Sequence, residues 1–198
     1  IKIPVFYITG WGDLFRDTPF RLAEHLEVPF KIIVGPWAHL YPHEAVPSPK
    51  IDFISEAIRW WDYWLKGKRN GIMDEPRLVF YEIENSEPKS LNNISKGKWI
   101  TEKTWPSENI TNQKSYLHDM KLSRIPCKDK CVVTVNSPQH YGMSSGDITS
   151  FGILGDTPID CRNDDGGGVT FRSAPAELPI SILGQPNLNL TLTADRAQ

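Results

Sequence analysis

The sequence predicts an α/β region followed by an all-β region, and three observations carry that reading. Two short apolar runs, "IKIPVFYI" and "PFKIIVG", flank a helical pattern inside the first 35 residues. From Ile51 the apolar residues recur with a helical period. Beyond Glu84 the texture changes to polar loops and short strand-like runs punctuated by Gly, Pro, Asn and Asp.

The first run is apolar on both alternating faces, as a strand reads when helices cover a parallel sheet on both sides. After it, "RDTPF" offers Asp17 or Thr18 as N-cap with Pro19 at the first helical position, and Phe20, Leu22, Ala23 and Leu26 supply an apolar side. A short helix to about Leu26 is expected. "PFKIIVG" is a second buried strand, stopped by Gly35-Pro36. Strand, helix and strand in this span make a right-handed βαβ unit with parallel strands.

Ile51, Ile54, Ile58, Trp61 and Leu65 lie on one helical stripe, with Phe53, Ala57, Trp60 and Trp64 beside it. The three tryptophans are read as core packing rather than as a ligand platform. Lys66 and Gly67 close the helix, a cation in the last turn and then a residue suited to positive φ. "PRLVFYEI" is a further strand. Trp99 and Trp105-Pro106 are read as isolated aromatic anchors in the polar stretch that follows. Five strands are then expected at "KSYLH", "CVVTVN", "GVTFRS", "LPISIL" and "LNLTLTA", an arrangement of the sandwich or jelly-roll kind. The boundary is placed at residues 84/85, giving regions 1–84 and 85–198. Five strands fall short of a sandwich of about seven or eight, and the chain begins inside a strand pattern, so both ends are expected to be cut.

A chain of 198 residues with 39% hydrophobic content can bury a core. Its 22 Lys and Arg against 24 Asp and Glu give a net charge of −2, without a long run of either sign. That balance points away from nucleic acid and from anionic membranes as partners. No stretch reaches the roughly 18 apolar residues of a membrane span, and no signal peptide opens the chain. The expectation is a soluble chain with the cytoplasm preferred and compartment open, and oligomeric state undetermined. Cys127, Cys131 and Cys161 form neither a disulfide framework nor a four-ligand zinc set. The sequons at Asn93, Asn109 and Asn189 carry no further argument.

Asp13 stands just past the first strand and His39 just past the second, at the carboxyl edge where open parallel sheets gather catalytic groups. A carboxylate and an imidazole so placed suit the orienter and general-base roles of a Ser-His-Asp triad. On residue type alone Asp13 is read first as a turn former, and His39 equally as a loop histidine or a base. In α/β-hydrolases the order is nucleophile, acid, base, so a Gly-x-Ser-x-Gly elbow would lie upstream. None occurs in this chain, and "MSSGD" at 143–147 has neither strand nor helix around it in the sequence pattern. His25, His43, His118 and His140 are read as surface or packing residues, and Asp164 and Asp165 in "NDDGGG" as loop formers.

These blocks, in this order, resemble the cocaine esterase and X-prolyl dipeptidyl-peptidase-like hydrolases. "PVFYITGWGD" is similar to the family's acid motif, "KIIVGPWAH" to its histidine motif and "AIRWWDYWLKG" to the helix that follows. "PRLVFYEI", Trp99 and "TWP" resemble the linker, and residues 155–198 the opening strands of the family's jelly roll. The resemblance implies the C-terminal portion of an α/β-hydrolase sheet plus a partial jelly roll, with Asp13 as triad acid and His39 as triad base. It places the serine, the oxyanion hole and the cap upstream. Gly12 stands where the family often has Tyr or Trp, which bears on the pocket wall. The implied activity is serine hydrolysis of small-molecule esters or of peptides with a penultimate proline, without a metal or organic cofactor, and the 198-residue piece by itself is expected to be inactive. The competing reading is a non-catalytic interaction or carbohydrate-binding β-module that retains a hydrolase remnant.

Overall fold

The computed structural model describes residues 1–129 and 131–195. Its main sheet has the order β1-β2-β3-β4. Strand β1 (Val5–Gly10) runs parallel to β2 (Phe30–Gly35), and β2 runs parallel to β3 (Leu78–Ile83). Strand β4 (Gly97–Glu102) returns antiparallel to β3, register Tyr81 opposite Trp99. Helix α1 (Thr18–His25) makes the crossover from β1 to β2, and α2 (Phe53–Lys66) that from β2 to β3. The expected βαβ unit is therefore present, and it continues into a second crossover.

Local chemistry explains the helix ends. Asp17 occupies the N-cap of α1 without a side-chain cap bond, so Pro19, with φ pre-set for a first turn, is what favours the start there. Asp52 caps α2 by accepting the Ser55 N–H, so the helix begins at Phe53 rather than at Ile51. Gly67 ends it in the left-handed region at φ 68° and donates its N–H to the Asp62 carbonyl.

Strand β2 is the centre of the molecule, buried at all six positions. Alternation sends Ile32 and Val34 to one face, with Phe20, Phe30, Leu78 and Phe80, and sends Ile33 to the other, with Trp37 and Ala45. Burying side chains of the size of Ile32 or Phe80 stabilises the fold by about 1.5–3 kcal/mol each. Lys31, on the face of Ile33, is only 5% exposed. It meets Glu56 of α2 at 3.5 Å and pairs with Glu75 in the α2–β3 loop, while Arg59 pairs with both acids. This network ties strand, helix and loop together.

The helix α2 corrects one expectation. Ile54, Ile58, Trp61 and Leu65, expected in the core, are half or more exposed. The neighbouring rows pack instead: Ala57 and Trp60 are buried, Trp60 lies 5.4 Å from Phe6, and Trp64 lies 5.8 Å from Trp60. The apolar arc of this helix is wider than the strip of sheet beneath it, and the sheet takes the rows that reach Phe6. Trp61 is therefore not core packing.

The β-rich half differs more. Trp99 is not an isolated anchor but a member of β4, edge-on to Tyr81 at 5.0 Å. Trp105 does anchor, 4.6 Å from Phe20. Of the five later strands, "KSYLH" yields β5 (Tyr116–His118), which pairs with β6 (Lys121–Ser123) in a two-stranded antiparallel sheet. The runs at 131–136, 168–173, 178–183 and 188–194 form no ladder among the described residues, apart from a single bridge from Arg172 to Lys121. Leu178, Ile180 and Ile182 keep the alternation of a strand but face solvent, as do Leu188, Leu190 and Leu192. A strand is defined by its neighbour's hydrogen bonds, and alternation without a neighbour leaves an extended loop.

Candidate active site

The site grows from the close approach of two strand ends. At the end of β1, Gly10 lets the backbone pass against Trp37; a Cβ on it would sit 2.0 Å from the Trp37 carbonyl oxygen. At the end of β2, a Cβ on Gly35 would sit 2.4 Å from the Trp37 ring. Trp37 is 1% exposed and donates its indole N–H to the Pro49 carbonyl at 2.7 Å. Two glycines and one buried tryptophan thus bring the loops after β1 and β2 together. Gly12 seals them, donating its N–H to the Trp37 carbonyl at 2.9 Å.

Asp13 and His39 follow directly on these contacts. His39 Nδ1 lies 2.8 Å from Asp13 Oδ2, across 26 positions of sequence. The other carboxylate oxygen of Asp13 accepts the Phe15 N–H at 2.8 Å. Both oxygens are held, and Asp13 is 8% exposed. Because the partner is a carboxylate, Nδ1 is the nitrogen that carries the proton, and a neutral His39 has its lone pair on Nε2. Among the described residues no protein group bonds Nε2, and the imidazole is 46% exposed. The Phe15 ring lies 6.2 Å from it and the Phe151 ring 5.7 Å, the latter edge-on at 87°. The arrangement is an oriented imidazole, with one nitrogen tied and the other available, between two aromatic rings.

A third segment reaches the site from far along the chain. Ser150 donates its N–H to the Gly12 carbonyl at 3.0 Å, and its carbonyl accepts the His39 N–H at 2.6 Å. No sequence signal marks Ser150 or Phe151 as neighbours of His39, since the contact spans more than a hundred residues. The "MSSGD" run forms a 3₁₀ turn at Met143–Ser145, without strand or helix on either side.

The remaining sequence candidates lie elsewhere. His25 Nδ1 contacts the Arg21 carbonyl at 2.9 Å, and His43 stacks on Phe53 and lies tilted against Tyr41. Asp164 accepts the Ser144 N–H, and Asp165 pairs with Arg172, so both carboxylates are engaged by the chain itself. Cys127, Cys131 and Cys161 are free thiols. A hollow of about 820 Å³ opens at the amino ends of β2 and β3, away from His39, and its charged lining groups include Lys31 and Glu75, already paired with each other. No helix among the described residues is long and apolar enough to cross a membrane.

Residues 70–198 match the family model described as the X-Pro dipeptidyl-peptidase C-terminal non-catalytic domain. Two curated relatives, from Mycobacterium bovis and Mycobacterium tuberculosis and both provisionally named serine esterases, are 26% identical over 175 residues. Each alignment covers 82% of this chain and 26% of the relative, so the chain spans about a quarter of the length of the curated relatives it matches. Two solved structures of a CocE/NonD family hydrolase from Staphylococcus aureus align with TM-scores of 0.49 and 0.46 at 16% and 15% identity, over 63% of this chain and 21% of theirs. Through residues 70–198, about two thirds of its length, the chain belongs to the X-Pro dipeptidyl-peptidase C-terminal domain family.

Proposed function

We propose that the chain is part of a serine hydrolase in which Asp13 and His39 are the acid and base of a Ser-His-Asp triad and the serine lies upstream of Ile1. The observation that carries the proposal is the 2.8 Å contact between His39 Nδ1 and Asp13 Oδ2 at the carboxyl ends of adjacent parallel strands. In this scheme the serine hydroxyl attacks an ester or amide carbonyl while His39 Nε2 takes its proton. His39 then returns the proton to the leaving alcohol or amine, and Asp13 stabilises the imidazolium in between. Water repeats the sequence on the acyl-enzyme. The substrate class is a small-molecule ester or a peptide with a penultimate proline. The scheme requires no metal, organic cofactor, nucleic acid or membrane. In this reading residues 1–84 supply the catalytic region and 85–198 the linker and jelly-roll region, with β4 of the linker joining the main sheet, and a cytoplasmic setting is preferred.

The second reading is a non-catalytic module, favoured by the description of the family matched over residues 70–198. Labelling of the full-length protein with a fluorophosphonate probe separates the two. The hydrolase reading expects labelling of the wild type and its loss in His39→Ala and Asp13→Asn. No labelling of the wild type, or unchanged labelling in both variants, overturns it. The 198-residue chain alone is expected to remain unlabelled.

A further inference from the structure

His39 is fixed at two points, the ring by Asp13 and the backbone by Ser150. Ser150 also holds the acid's loop, through the carbonyl of Gly12, so one residue spans acid and base. What fixes Ser150 is therefore a question about the site. The answer lies in the turn that follows it. Asp156 Oδ2 accepts the Ser150 hydroxyl at 3.3 Å, the Phe151 N–H at 2.5 Å and the Ile153 N–H at 2.9 Å. The Asp156 N–H closes the turn on the Ile153 carbonyl at 3.2 Å, and its carbonyl accepts the Asp147 N–H at 3.1 Å. Ser150 and Asp156 are each 6% exposed. A carboxylate oxygen that gathers three donors from one short segment sets the course of that segment, because few other chain paths present all three to one point.

We propose that Asp156 is a positioning residue for the hydrolytic site: by shaping the Ser150–Ile153 turn it places the Ser150 carbonyl under the His39 N–H and the Phe151 ring against the imidazole. The inference rests on the proposed role of His39 as base. The Ile153 N–H foremost, with the Phe151 N–H and the Ser150 hydroxyl, holds the Asp156 carboxyl below the ordinary carboxylate range despite its burial, so it is ionised at neutral pH. Without this carboxylate the turn relaxes, the Ser150 carbonyl shifts, and His39 Nε2 moves relative to the serine. A displacement of about 1 Å costs roughly 10²-fold in rate.

The test uses the full-length protein and p-nitrophenyl acetate. Asp156→Ala is expected to lower kcat by about 10²-fold with KM changed little, and to displace or broaden the low-field proton resonance of the His39 Nδ1–H. Asp156→Asn, which keeps an acceptor oxygen in the same place, is expected to recover part of kcat and of that resonance; it also serves as the reporting variant if Asp156→Ala does not fold. Folded variants of both kinds with wild-type kcat and an unmoved resonance overturn the proposal, as does a fall in kcat that matches only the loss of folded protein. His39→Ala separates the two levels of the argument. If it hydrolyses the ester as well as wild type, the reading of His39 fails and the inference fails with it. If it is inactive while the Asp156 variants are normal, the inference alone fails.

Discussion

Asp13 divides its two carboxylate oxygens between the ring of His39 and the backbone of its own loop, at 2.8 Å in each case. The second bond limits rotation of the carboxylate, so the first is made from a fixed acceptor. Asp13→Asn preserves the shape but offers the ring an amide, which can favour the wrong tautomer. In the full-length protein the expected result is a fall in kcat of about 10⁴-fold with KM little changed, measured on an activated ester. An effect below tenfold would contradict the orienting role of Asp13.

The two rows of α2 predict opposite mutational outcomes. Trp60→Ala removes a buried ring packed on Phe6 and is expected to cost about 3–5 kcal/mol. Ile58→Gln, on the exposed row, is expected to change stability by less than about 0.5 kcal/mol. Urea unfolding of both variants checks the pair; a larger loss for Ile58→Gln would show that its row is covered.

Gly10→Ala drives a methyl group into the Trp37 carbonyl, a backbone atom held in a hydrogen bond to Gly12. The expected cost is about 3 kcal/mol, at the upper end of overpacking penalties. Thermal unfolding gives the stability, and the Asp13–His39 contact should loosen with it. A neutral substitution would mean that the strand ends can separate freely.

Lys31→Met leaves Glu56 and Glu75 with Arg59 as their remaining partner in the network. Removing one partner of a fully buried pair costs about 3–5 kcal/mol. Here about 2 kcal/mol is expected, because Glu75 and Arg59 are each roughly a third exposed and water screens them. Equilibrium unfolding measures the loss, and a more stable variant would show that desolvation of Lys31 outweighs its pairing.

Acid should weaken the fold within a defined window. Burial pushes the Glu75 carboxyl up, but Lys31 and Arg59 together outweigh it and hold the group below its ordinary value of 4.5. The Arg162 side chain holds Asp160 down at about 2, from 3.8. Carboxyls with a lowered folded pKa bind fewer protons than the unfolded chain near pH 4. Their stabilisation is therefore complete above the unfolded values and is lost as pH falls through the folded ones. The unfolding midpoint in urea should be flat above about pH 5 and decline towards pH 2, less steeply in Lys31→Met. A midpoint that rises on acidification would reverse this assignment.

What could be read from the sequence was local. The β1–α1–β2 unit follows from apolar runs, Pro19 and the glycines at strand ends, and the positions of Asp13 and His39 follow from those strand ends. Two kinds of information were not legible. Which of two adjacent apolar rows on α2 would be buried depended on Phe6, a residue of another element. The strand β4 and the Ser150 contacts join residues distant in sequence, and neither leaves a periodic trace where it occurs. The runs at 178–183 and 188–194 show the reverse case, since their alternation is real while no strand pairs with them among the described residues.

The two hydrogen bonds of Ser150, to Gly12 and from His39, bear on how residues 70–198 of this chain could be exchanged for a relative's. A chimera that joins one relative's catalytic region to another's residues 70–198 transfers more than an inert appendage. It replaces the carbonyl that receives the histidine's N–H. Such recombinants are compatible only when the incoming turn follows the same path, so the region described as non-catalytic and the histidine loop are expected to change together.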